Sequence, residues 1–158
     1  MEAKTVTLKP MKVLCMKHIG PYFKIGAAFE KLAVFIKEQN IEVSDALWLG
    51  VYYDDPESVP EAELRSEACV TVLQDIELPE DSDIVIGEIK GGLYATTRHF
   101  GSYRELGNSW GELYGSWIQQ NGFKPLNTPC FEIYVNSCEE TEDESELLTD
   151  LYAPVESM

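Results

Sequence analysis

The sequence predicts an α+β fold in which one βαββ unit is used twice. Three observations carry that expectation. HFGSY at residues 99–103 echoes HIGPY at residues 18–22, an offset of 81 from His18 to His99 in a chain of 158 residues. The same offset, without a gap, pairs Lys9 with Lys90, Gly26 with Gly107, Leu32 with Leu113, Gln39 with Gln120, Asn40 with Asn121 and Tyr53 with Tyr134. Finally, both halves run through one order of patterns.

Each half opens on an apolar, β-branched stretch, residues 11–17 (MKVLCMK) and 93–98 (LYATTR), which reads as a strand. The echoed H-x-G-x-Y then turns the chain, with glycine supplying the turn. Helices follow: Phe29, Leu32, Ala33 and Ile36 keep i, i+3, i+4, i+7 spacing, and Trp110, Leu113, Tyr114 and Trp117 repeat it. They finish near Asn40 and near Asn121-Gly122, residues suited to a left-handed cap. Residues 47–53 (LWLGVYY) and 130–135 (CFEIYV) read as the next strands. Residues 64–73 and 148–155 close the units, their offset lengthened to 83 by the loops before them. A polar linker, residues 78–83 (LPEDSD), separates the copies. The expected organisation is a single domain, residues 1–158, with repeats at about 5–76 and 84–156. A unit of this size buries little alone, so two copies are expected to share a core around a pseudo-two-fold. Antiparallel sheets would carry helices on one side, and a central groove would form the natural small-molecule site.

Charge narrows the function classes. Twelve Lys and Arg against 28 Asp and Glu give a net charge of −16, which repels phosphate backbones and argues against direct nucleic-acid binding. Part of the excess lies in residues 139–146 (EETEDESE), read as a solvated loop between two strands. The four cysteines form no CxxC pair and have no histidine at zinc-ligand spacing, so reduced thiols and a cytoplasmic location are expected. No signal region and no apolar run of membrane-spanning length is present. Without a metal or nucleotide motif, no cofactor is expected.

Duplication supplies an internal control: residues shared by both copies serve the fold, and residues that differ are candidates for a single function. By that rule His18 and His99, Gly20 and Gly101, and Tyr22 and Tyr103 belong to the scaffold. The sharpest contrast sets Val51 against Glu132, a carboxylate between Phe131 and Ile133 in a strand expected to be central. It has two readings, open solvent on the free face of the sheet or an apolar-walled groove that receives a cation or moves a proton. Ala33 against Tyr114 and Cys69 against Tyr152 make the second copy richer in aromatics. Leu113 and Trp117 match Leu32 and Ile36 and are assigned to the core. Trp110 and Tyr114 remain candidates for holding a flat lipophilic cation through ring faces beside a carboxylate.

Residues 51–72 (VYYDDPESVPEAELRSEACVTV) and 129–136 (PCFEIYVN) resemble the GyrI-like proteins, relatives of DNA gyrase inhibitory protein and of effector-binding domains in drug-responsive regulators. The likeness runs from about Thr5 to Val155. It implies a duplicated βαββ fold with a central groove and a ligand-contacting glutamate in the second copy's central strand, at Glu132. It further implies groove aromatics at Tyr52, Trp110 and Tyr152, and ligands that are bulky, lipophilic and often cationic. No helix-turn-helix pattern flanks the domain, so stand-alone binding, for sequestration or sensing, is the leading expectation. One alternative is a metal-independent hydrolase of strained cyclopropanoid toxins, with Glu132 as its acid–base residue. Another is a modulator whose partner is DNA gyrase.

Overall fold

The repeated pattern builds two compact units, Pro10–Lys90 and Met1–Lys9 with Gly91–Met158, in the computed structural model, which describes residues 1–136 and 141–158. Cys138 and the start of the acidic run, Glu139 and Glu140, lie outside the described residues. No helix among the described residues is long and apolar enough to cross a membrane.

In the first unit, strands β2 (Met11–Ile19), β3 (Trp48–Tyr52), β4 (Arg65–Thr71) and β5 (Ile84–Ile89) form an antiparallel sheet in the order β5-β2-β4-β3. Helix α1 (Gly26–Glu38) lies on it because Ala28, Leu32 and Ile36 recur at four-residue spacing. They pack on Leu14, Met16, Ala68 and Val70. The helix ends as its cap residue predicts. Asn40 is left-handed (φ 52°), Asn40 N–H bonds Lys37 O, and Ile41 N–H bonds Ile36 O, the paired bonds of a Schellman cap.

The second unit repeats the design with β1 (Ala3–Leu8), β6 (Gly92–Phe100), β8 (Cys130–Tyr134) and β9 (Leu148–Ser157), ordered β1-β6-β9-β8. A short β7 (Phe123–Pro125) pairs with the end of β9. Its helix has a different build: α2 (Leu106–Glu112) runs into a π-helical turn, Leu113–Trp117, and ends in α3 (Ile118–Gln120). Leu113, Ile118, Leu151 and Val155 form the core beneath it.

The edge strands β1 and β5 depart from the sequence reading, which began each unit one strand later. Each precedes its own repeat yet completes the sheet of the other unit: β1 pairs with β6, and β5 pairs with β2.

The π turn explains a second departure. An added helical residue shifts everything after it by one position. The left-handed cap residues are Asn40 and Gly122, an offset of 82. The buried residue matching Ile36 is therefore Ile118, and Trp117 instead stacks on Phe123 with centroids 6.4 Å apart. Strand pairing carries the shift onward. His18 and Tyr52 both face Ser66, and His99 and Tyr134 both face Thr149, so Tyr134 matches Tyr52 rather than Tyr53. By the same registers Glu132, opposite Leu151, matches Gly50, opposite Ala68, and not Val51.

Candidate functional site

Strand alternation decides where Glu132 points. Its cross-strand partner Leu151 belongs to the core under the helix, so the Glu132 side chain also lies on the helix side of the sheet. It is 4% exposed, which discards the open-solvent reading. A carboxylate removed from water needs hydrogen bonds to both oxygens. Trp110 Nε1–H donates to Oε1 at 2.7 Å, and Tyr134 O–H donates to Oε2 at 2.9 Å. Both donors are neutral groups. In this low-dielectric setting a cation would be attracted far more strongly than at the surface.

Aromatic rings wall the carboxylate. Trp110 stacks on Tyr114, four residues along the helix, with centroids 5.8 Å apart and planes at 29°. Tyr134 meets Tyr103 edge to face at 5.8 Å. Cys130, two residues before Glu132 on the same face of β8, accepts a hydrogen bond from the Tyr114 hydroxyl. Burial pushes the Cys130 thiol up to about 12, and the nearby Glu132 charge adds to that shift; the Tyr114 bond opposes it. Burial likewise raises the Tyr114 hydroxyl well above its usual value. At neutral pH both are uncharged.

The structure thus brings together Glu132, Trp110 and Tyr114. Tyr152 lies on the reverse face of the sheet, stacked on Phe131 with centroids 4.8 Å apart and planes at 7°. Tyr52 lies in the first unit, edge-on to Tyr22 at 4.8 Å. Tyr52 occupies there the place that Tyr134 holds beside Glu132. Tyr134, Tyr103 and Cys130 were missed by sequence reasoning. The correct 82-residue offset was the available signal, because it maps Tyr52 onto Tyr134. Glu132 lines neither of two described clefts, of 240 Å³ in the first unit and 590 Å³ in the second.

The scaffold assignments of the sequence have counterparts in hydrogen bonds. His18 Nε2 meets Pro21 O at 3.0 Å and His99 Nε2 meets Ser102 O at 2.9 Å. Gly20 and Gly101 have φ of 127° and 109°, and each donates its N–H at 2.8 Å to Leu64 O or Leu147 O.

Comparison with known proteins agrees with this architecture. The family model of the GyrI-like small molecule binding domain matches residues 1–156. A DNA gyrase inhibitor of Yersinia enterocolitica is 33% identical over 139 residues, covering 86% of this chain and 87% of that protein. Among solved structures, the EcmrR C-terminal domain has a TM-score of 0.79 at 22% identity, covering 99% of this chain and 98% of its own. SAV2435, solved bound to tetraphenylphosphonium, has a TM-score of 0.64 at 15% identity, covering 99% and 94%.

Proposed function

The chain belongs to the GyrI-like family of small-molecule-binding domains, and on that premise we propose that its ligands are bulky lipophilic cations held at Glu132. One observation carries this reading: a carboxylate 4% exposed whose oxygens are bonded by the neutral donors Trp110 and Tyr134. The fold neighbour solved with tetraphenylphosphonium, a lipophilic cation, supports the same ligand class. At such low exposure a ligand reaches the carboxylate only by displacing a donor. Both donors are partly exposed, and displacement of the Trp110 indole, stacked on Tyr114, would leave ring faces for the cation. Binding is therefore read directly in tryptophan fluorescence.

Titration of tetraphenylphosphonium into wild type and Glu132→Gln tests the reading. The amide keeps the side chain's shape and removes its charge, and affinity should fall about tenfold or more, ~1.4 kcal/mol or above. Equal affinity in the two proteins would remove charge pairing from the account. Mass spectrometry of ligands recovered after incubation, with strained electrophiles included, separates binding from hydrolysis. The name of the Yersinia enterocolitica relative supports a second reading, in which DNA gyrase is a protein partner. Supercoiling by gyrase at low salt, unchanged by excess protein, would discard it.

A further inference from the structure

The paired histidines act as a control on one another. In both units a histidine at the end of a strand meets, through Nε2, the carbonyl three residues on, at 3.0 Å for His18 and 2.9 Å for His99. A carbonyl only accepts, so Nε2 carries the proton and Nδ1 of the neutral ring keeps its lone pair. In the second unit that nitrogen meets Ser109 Oγ at 2.7 Å. The matching residue of the first unit, ahead of the π turn and so still at the 81-residue offset, is Ala28. The turn and helix therefore form without a serine, and Ser109 is an addition to the scaffold.

With Nδ1 as acceptor, the Ser109 hydroxyl is the donor. A hydroxyl donating to a neutral imidazole whose other nitrogen is held by a fixed acceptor has the geometry of an activated nucleophile. Here the Ser102 carbonyl fills the orienting place that a carboxylate takes in acid–base triads. His99 is 6% exposed, whereas Ser109 is partly open, and both line the 590 Å³ cleft with Glu2, Glu105, Asn108 and Glu112. Arg98, also in the lining, is ion-paired with Asp150 at 2.7 Å, so the three carboxylates favour a substrate with a cationic or neutral leaving group over an anionic one.

We propose that Ser109 and His99 form a nucleophile–base pair that hydrolyses small carboxylic esters in this cleft, independently of Glu132. Ser109 Oγ bonds to the ester carbonyl carbon while its proton passes to His99 Nδ1. The tetrahedral adduct collapses, the bond to the alcohol oxygen breaks, and that oxygen takes the proton from Nδ1. Water then attacks the acyl-serine as Nδ1 accepts its proton. The second collapse releases the carboxylic acid and returns the proton to Ser109 Oγ, so ester and water become acid and alcohol.

The experiment uses p-nitrophenyl acetate and acetylcholine with wild type, Ser109→Ala and Ser58→Ala. Ser109→Ala installs the residue that the first unit already carries on α1, so the variant is expected to fold, as circular dichroism checks. The expected result is turnover by wild type, lost about a hundredfold in Ser109→Ala and kept in Ser58→Ala, a change at an exposed serine of the first unit. Acid-quenched peptide mapping should place the acetyl adduct on Ser109. Equal turnover by wild type and Ser109→Ala, an adduct on another residue, or no turnover by wild type would overturn the assignment.

Discussion

Where its helix crosses the sheet, the second unit places Trp110, Glu132 and Tyr134; at the matching point the first unit places Phe29, Gly50 and Tyr52. In the first unit the space is filled by hydrocarbon, with the Phe29 and Trp48 rings 6.5 Å apart and Gly50 buried on the strand between Trp48 and Tyr52. In the second unit Cys130 stands where Trp48 would be, and the space holds the carboxyl group of Glu132. One scaffold thus tolerates an apolar filling or a polar cluster at the same place. The carboxylate is not something the fold requires, and a buried charge the fold does not require costs stability. Its presence in one copy alone supports the proposed ligand role.

The comparison breaks most visibly if the scaffolds are not equivalent beneath the site. Leu32 and Leu113 are both fully buried and match at the helix midpoint. Leu32→Ala and Leu113→Ala should each destabilise by about 2–5 kcal/mol. A urea midpoint that moves for one variant and not for the other would end the equivalence.

A smaller effect sharpens the contrast itself. Trp110→Phe installs the residue of the first unit and takes the indole N–H from Glu132 Oε1. Stability should fall by about 1–3 kcal/mol, the cost of an undersatisfied buried acceptor. The same change in Glu132→Gly, which rebuilds the first unit's strand at that point, should cost less. Equal losses in the two backgrounds, by denaturant midpoint, would show that Trp110 contributes through packing and not through the carboxylate.

Those registers show how much the sequence disclosed. The strands around His18 and His99, both helices and the strands of Gly50 and Glu132 were legible, because apolar periodicity and the repeated H-x-G-x-Y fix them locally. Glu132 was legible as the odd residue, although set against the wrong partner. The identities of Gln39-Asn40 and Gln120-Asn121 hid the added residue, since a π turn leaves no mark in a gapless alignment. Strands β1 and β5 were missed because their partners lie in the other half of the chain. An edge strand is specified by the neighbour that pairs with it, and local pattern does not name that neighbour. The separation of Tyr152 from Glu132 depends on strand alternation at one register, which a shift of one residue reverses.

The smallest effect is a slope. Cys130 titrates at about 12 when folded, above its usual value of about 9, because burial and Glu132 oppose the thiolate. A raised folded value means that this contribution is complete below pH 9 and is lost as pH climbs toward 12. Wild type should therefore lose stability more steeply than Cys130→Ala between pH 9 and 12. Trp48, its counterpart in the first unit, cannot titrate at all. Parallel curves of urea midpoint against pH would remove Cys130 from the polar cluster's energetics.

The exchanged edge strands also set a timetable for synthesis. Pro10–Lys90 is one continuous stretch, so the first unit can fold while the second half of the chain is still being made. Ala3–Leu8 precedes that stretch and pairs after it, because Gly92–Phe100 is made some 90 residues later. At about 5–20 residues per second, that strand waits roughly 4.5–18 s without its strand partner. An open strand is a template for a neighbouring chain on the same polysome. Glu2 and Lys4, set among the threonines and valine of that segment, are the charges that oppose such pairing until β6 arrives.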